Sequence, residues 1–259
     1  MGEEAKAMLG KTHRELETIR PLQDGVIADF RMTDGMLQGF IRKINLNRLA
    51  RPRMVICVPS GVTEVERRAV KDSGERANAR EVYLIEEPVA AAIGIGLDIS
   101  KPIGNIIVDI GGGTTEIAVI SLGGIVYSRS VRIGGDAMDI ALINYMRKRY
   151  NLLIGEASAE MIKKEVGIAI PPKTGDGKTI DIKGRDLASG VPKEIELTQA
   201  QAAEALSEPI QTIIEGVKSA LEDTPPELAA DLVDMGVVLT RGGALLESMD
   251  EAIREATGL

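Results

Sequence analysis

The chain has 259 residues, a formal net charge of −8 and 44% hydrophobic residues. That length suits one large domain or two small ones with a sizeable core, and the acidic balance argues against a nucleic-acid binder, whose surface would be basic. A single Cys (Cys57) excludes an intramolecular disulfide and fits a reducing compartment, while a single His (His13) without a Cys or His cluster argues against a zinc site. No apolar run approaches the length of a membrane-spanning helix. The N-terminus carries no signal-peptide segment, and Lys6 stands where a myristoylation site needs Ser or Thr. The expectation is a soluble cytoplasmic protein.

In chain order, "TIRPLQDGVIADF" offers strand-like pieces around Asp24-Gly25. "TDGMLQGFIRKI" reads as a helix with Met36, Phe40, Ile41 and Ile44 near one face. "RMVICVP", from Arg53, reads as a buried strand, with Cys57 as a buried inert thiol. Thr63 and Glu66 form a capping box that opens a helix to about Ala77. "EVYLIEE" is a second strand. "PVAAAIGIGL" is a second helix with Pro88 in its first turn, where a missing N–H costs nothing. Strand–helix–strand–helix implies parallel strands.

From Asn105 the texture changes. "NIIVDI", "TEIAVISL" and "GGIVYSRSVRI" are three strands joined by short turns, hence an antiparallel meander. "GGDAMDIALINYMRKRY" follows as a helix, with Asp136 predicted as its N-cap. "SAEMIKKEVGIAI" reads as helical with Ser158 as N-cap. "GDGKTIDIKGRDLASGVPKEIEL" reads as a hairpin. Thr198 and Gln201 form another capping box, opening a helix to about Leu221 that Pro209 should kink. "PPELAADLVDM" is a short helix, "GVVLT" a buried strand, and "RGGALLESMDEAIREA" a glycine turn running into a helix.

Three places carry chemistry. In "NIIVDIGGGTTEIAVI" a Gly-rich turn at a strand end exposes backbone N–H groups with no Cβ in the way, an arrangement that binds phosphate. Asp109 beside Gly111, Gly112 and Gly113 would repel a bare phosphate. The pair therefore suggests a nucleotide phosphate with Mg²⁺, Asp109 holding the metal largely through water. The glycines pass into a strand rather than a helix, so a dinucleotide fingerprint fails. A tight hairpin that merely needs glycine is the alternative. "LTRGGALLES" places glycines at another strand end, before a helix. It reads as a second ligand-facing turn or as an ordinary connection, and two such turns fit a nucleotide clamped between two lobes. In "IEEPVAAAIGIGL" the acids either complement the helix dipole or orient a water for attack on a phosphoryl group.

"DIGGGTTE", "EEPVAAAIG" and "GGALL" resemble the second phosphate loop, connecting helix and adenosine loop of the actin-fold ATPases, whose members include actin, heat-shock chaperones and sugar kinases. Together with "DGVIADF", "VPSGVTEVERRAV", "IVDIGGGTTEIAVISLGGIVYSRSVRIGGD", "GRDL" and "TPPELAADLVDMGVVLT", the chain resembles the MreB family of bacterial rod-shape-determining actins from about Gly2 almost to Leu259. The resemblance implies an α/β, actin-like (ribonuclease-H-like) two-lobe ATPase fold. Residues 1–100 would be the remainder of an incomplete first lobe, and 101–259 a second lobe with a small subdomain inserted at about 151–225.

It also implies roles. Asp109 would act near Mg²⁺ and the attacking water. Gly111, Gly112, Gly113 and Thr114 would hold the β- and γ-phosphates of ATP, Thr114 also assisting hydrolysis. Glu87 would polarise the catalytic water. Glu160, Lys163 and Lys164 match the helix flanking ribose and adenine, with a solvated helix face as the alternative. Gly242, Gly243, Ala244 and Leu245 would contact the nucleotide from the other side.

The family pattern begins with an earlier strand–turn–strand carrying a first phosphate loop and ends with a further strand and helix. Neither is found in these 259 residues, so hydrolysis is an open expectation. Arg241 stands where the family normally has a third glycine, either crowding the adenine pocket or pointing to solvent. The loop Asn45 to Ala50 matches the family's membrane-touching loop, with Leu46 and Leu49 as the contacts or as two packed leucines. The implied function is an ATP-binding filament former at the inner membrane face that organises cell-wall elongation with membrane partners. An actin-fold sugar kinase or chaperone, or a remnant with impaired nucleotide binding, is the alternative.

Overall fold

Residues 2–23, 26–44 and 51–259 are described by the computed structural model. The chain divides into two compact units, Met1–Leu97 and Asp98–Leu259.

In the first unit a short helix α1 (Glu3–Ala7) precedes a two-residue pairing of β1 (Leu22–Gln23) with β2 (Val26–Ile27). Helix α2 (Phe30–Ile44) follows, but its apolar residues are not all covered: Phe40 is 38% exposed and Ile44 82%. Strands β3 (Arg53–Val58) and β4 (Glu81–Glu86) pair in parallel, as the alternation of strand and helix requires. Between them α3 (Glu64–Arg76) starts at Thr63. The Thr63 hydroxyl accepts from the Glu66 N–H at 3.3 Å, and the Glu66 carboxylate accepts from the Thr63 N–H at 2.8 Å. α4 (Glu87–Gly94) runs directly out of β4 with Pro88 in its first turn.

Strand β3 corrects one expectation. It is not buried throughout: exposure alternates along it, Val58 is buried, and Cys57 is exposed. A strand's side chains point to opposite faces in turn, and here one face is covered while the other is open. An apolar run such as "MVICV" cannot tell that case from a strand covered on both faces. The loop carrying Leu46 and Leu49 lies outside the described residues.

In the second unit β5 (Asn105–Ile110), β6 (Thr115–Ser121) and β7 (Gly124–Val131) form the expected antiparallel meander. β11 (Val237–Thr240) adds to β5 in parallel, giving the order β11-β5-β6-β7. Every residue of β5 and β6 is buried. β11 is only partly covered until Thr240. The β6–β7 turn holds Leu122 and Gly123 at φ 51° and 73°, the left-handed pair a two-residue hairpin needs.

Helix α5 (Gly135–Tyr150) leads into β8 (Leu152–Leu153) and α6 (Glu156–Glu165); β9 (Thr179–Asp186) and β10 (Pro192–Thr198) then make the expected hairpin, with β8 paired to β9. α7 (Gln199–Glu222) begins at the Thr198–Gln201 capping box, runs unbroken through Pro209 and packs on β6 and β7. Gly216 allows that approach: a Cβ there would stand 2.9 Å from Ile117 Cδ1 and from Val131 Cγ2. α8 (Pro226–Met235), β11, a 3₁₀ turn (Gly242–Leu245) and α9 (Met249–Thr257) complete the chain. One continuous core joins Ile106, Met138, Ile162, Ile182, Leu206 and Ile253.

Two predicted caps are corrected. The N-cap of α5 is Gly134, with Asp136 inside the first turn; the N-cap of α6 is Gly155, with Ser158 inside the helix. At Gly134 the reason is steric, since the backbone there passes against the carbonyls of the preceding glycine turn; Gly155 has open space beside it and an extended backbone that any residue could adopt. The nearest polar residue is then displaced into the first turn, where a carboxylate still complements the dipole. α6 also ends at Glu165 rather than continuing through "VGIAI"; there Ile168 instead bridges to Glu247 in parallel.

Candidate functional site

The centre of the site is the turn between β5 and β6. Its first glycine, Gly111, donates its N–H to the Thr114 carbonyl at 2.8 Å, closing the turn. Its outward carbonyls are held from the next helix: Gly135 N–H donates to Gly111 O at 2.9 Å, and Asp136 N–H to Gly112 O at 2.8 Å. The N-terminus of α5 is therefore engaged by the loop's own backbone. Gly134 is needed for this packing on steric grounds, since a Cβ there would fall 2.5 Å from Gly112 O and 2.6 Å from Gly111 O. The residue-type pattern pointed to the three glycines but not to Gly134 and Gly135. Their signal was the paired glycine in "RIGGD" immediately before a helix.

Asp109 sits at the end of β5 and is fully buried. The parallel register places Thr240 of β11 opposite it. The Thr240 hydroxyl donates to Asp109 Oδ1 at 2.6 Å. Arg241 Nε lies 3.1 Å from Asp109 Oδ2, an ion pair without the alignment of a hydrogen bond. Burial pushes the Asp109 carboxyl above its usual range; the Thr240 hydrogen bond and the Arg241 charge pull the other way, and Glu116 adds to the rise. Thr240 was not foreseen as a site residue, because only the β5–β11 register makes it one.

Arg241 is partly exposed and paired with Asp109 at the same time. It is held at φ 65°, a left-handed conformation, and its guanidinium reaches back over the glycine loop. Nη1 stands 2.8 Å from the position a Gly111 Cβ would occupy. Gly243, in the 3₁₀ turn beyond, presses on the same strand end: a Cβ there would be 2.2 Å from Ile110 Cγ2. Gly242 has open space beside it, Ala244 is half-buried and Leu245 is 86% exposed.

The predicted ribose–adenine helix, α6, divides its residues. Lys163 Nζ lies 2.8 Å from Asp139 Oδ1 and donates to Gly135 O at 2.7 Å. It is thus tied to the start of α5 and, through Gly135, to the loop. Burial raises the Asp139 carboxyl, Lys163 opposes the rise, and Glu160 and Asp136 reinforce it. Lys164 and Glu160 instead pair with each other at 2.8 Å along the helix surface. Glu87 belongs to the other unit, where it opens α4, next to Glu86, whose carboxylate is 3.1 Å from Arg67 Nη2.

The donor set suits a nucleotide phosphate. Consecutive glycines leave the turn without side chains, and a buried carboxylate and a guanidinium flank it, the guanidinium standing where a Cβ at Gly111 would press on it. Among the described residues no cluster of three His, Cys, Asp or Glu side chains forms a metal cage. A divalent ion here would be held by Asp109 and the phosphates, mostly through water.

The family model described as MreB/Mbl protein matches residues 1–259. The cell shape-determining protein MreB of Escherichia coli (strain K12) is 54% identical over 262 residues, covering 100% of this chain and 75% of that protein. The crystal structure of MreB5 of Spiroplasma citri bound to ADP superposes with a TM-score of 0.94 at 37% identity, over 100% of this chain and 78% of that one. The same protein bound to AMPPNP gives 0.93. The MamK double helical filament, at 21% identity and a TM-score of 0.79 over 98% of this chain and 76% of that one, shares the fold. The fold is actin-like, and the chain belongs to the MreB/Mbl family.

Proposed function

We propose that this protein binds ATP at the Asp109–Thr114 turn and assembles into filaments that control cell shape and cell-wall elongation. The observation that carries the reading is the β5–β6 turn itself. Its carbonyls are turned onto α5, Asp109 is buried beside it, and Arg241 lies over its first glycine. One solved relative carries ADP in one structure and AMPPNP in another, and the named relatives are cell shape-determining proteins.

In this reading Gly111, Gly112 and Gly113 present backbone to the phosphates, and the Thr114 hydroxyl contributes to phosphate binding and hydrolysis. Bound Mg²⁺ would offset phosphate charge. Asp109 would orient its water shell, and Thr240 holds the carboxylate in place for that task. Lys163 steadies the loop through Gly135, while Glu160 and Lys164 would flank the nucleoside. Gly242, Gly243, Ala244 and Leu245 would line its other side. Glu87 would polarise the attacking water. Residues 1–100 would form part of a first lobe and 101–259 a second, with 151–225 inserted. Self-association would produce the filament, and Leu46 and Leu49 would touch the inner membrane surface, bringing the polymer to cell-wall elongation proteins.

Sedimentation and electron microscopy of the purified chain with Mg²⁺–ATP test the reading. Filaments that need nucleotide support it. A chain that shows no binding at saturating ATP and no polymer overturns it.

A further inference from the structure

We propose that Arg241 is a phosphate-binding residue of the turn, taking on part of the nucleotide's negative charge that would otherwise fall to Mg²⁺. The inference rests on the proposed nucleotide site and adds a specificity-determining residue to it.

Three observations lead there. First, Arg241 occupies a left-handed backbone position at φ 65°, which glycine adopts freely and a side chain resists. A residue kept there against its torsional preference needs a compensating contact. Second, that contact is with Asp109: Nε lies 3.1 Å from Oδ2 of a carboxylate whose side chain is 1% exposed. The pairing seats the guanidinium at the strand end, while 40% of the Arg241 side chain stays exposed. Third, the far end of the fork points at the loop, with Nη1 2.8 Å from where a Gly111 Cβ would be. A glycine at position 111 leaves room for that approach.

The chemistry then favours phosphate. Asp109 alone beside the glycine turn would repel an anion, and burial makes its charge harder to screen. A guanidinium paired to it cancels that repulsion. A guanidinium is planar, permanently charged and forked, and it matches phosphate oxygens better than an ammonium does. With Nε on Asp109 and the Nη end over Gly111, one side chain can hold carboxylate and phosphate together. A divalent ion performs the same charge accounting, so the two cations share one task. The consequence is weaker dependence of ATP binding on Mg²⁺ in this chain than in a variant with glycine at 241.

The test is an equilibrium titration of the full chain with a fluorescent ATP analogue, in Mg²⁺ and in EDTA, for wild type, Arg241→Gly and Arg241→Gln. Thermal unfolding of each variant confirms that it folds. The glutamine variant keeps a side chain at φ 65°, should the glycine variant fail to fold. The expected result is a wild-type Kd that changes less than about tenfold when Mg²⁺ is removed, and variants that lose at least about tenfold more than wild type does on going to EDTA. Variants that lose affinity equally in both media, or bind more tightly than wild type in EDTA, overturn the assignment of Arg241 and leave the nucleotide site standing. A wild-type chain that binds in neither medium sinks the site and the inference together.

Discussion

At the scale of single residues, the site depends on how a buried carboxylate is kept. Asp109 carries one hydrogen bond from Thr240 and one ion pair from Arg241. Thr240→Val keeps the shape and removes the donor, leaving a buried acceptor short of a partner. Chemical denaturation should show a loss of about 1–3 kcal/mol. Asp139, on α5 beside the glycine turn, offers a pH test. Its carboxyl is raised above 3.8 mainly by burial, so the folded state holds the proton more tightly than the unfolded state. Stability contributed by this group therefore falls as pH rises from the ordinary carboxylate value through the raised one. Asp139→Asn cannot titrate. The difference in unfolding free energy between variant and wild type should shift in favour of the variant as pH climbs through that window, measured by denaturation at a series of pH values. Lys163 tempers the effect by pairing with Asp139 at 2.8 Å.

At the scale of elements, both capping boxes were legible because their signal is local: Thr63 with Glu66 and Thr198 with Gln201 each lie within four residues. The three-stranded meander was legible from its short turns and apolar runs. The caps of α5 and α6 were not, because Gly134 and Gly155 were passed over for the nearest Asp and Ser, and only the fold shows the loop carbonyls against Gly134. The one-sided cover of β3 was hidden for a similar reason: what lies against a strand's second face is a tertiary fact. Gly134→Ala tests the α5 packing. Its methyl would meet two backbone oxygens that no rotamer change can move, so loop or helix must shift. A stability loss of about 1–3 kcal/mol is expected from denaturation, accompanied by weaker ATP binding in the same titration.

Across the whole molecule, apolar burial is unevenly divided. Among the described residues, the buried apolar side chains of the first unit are Val58, Ala79, Val82, Pro88 and Ala92, whereas the second unit holds the extended cluster from Ile106 to Ile253. A fragment of residues 98–259 should therefore unfold cooperatively in denaturant, with a protected amide core in β5 and β6. A fragment of residues 1–97 should give a broad transition or none. Of the candidate site, the Asp109–Thr114 turn was readable as a glycine turn between two strands, because its residue types lie together in the sequence. Thr240 and the reach of Arg241 were not, because they depend on β11 lying beside β5 in one register.

The hydrogen bonds that anchor the glycine turn also form a short mechanical linkage. Lys163 on α6 grips the carbonyl of Gly135, and the amide of that same residue grips Gly111. A small tilt of α6 is thereby delivered to the first glycine of the turn across a single peptide unit on each side. A neighbour leaning on the outer face of α6 would thus be felt at Gly111 without touching it.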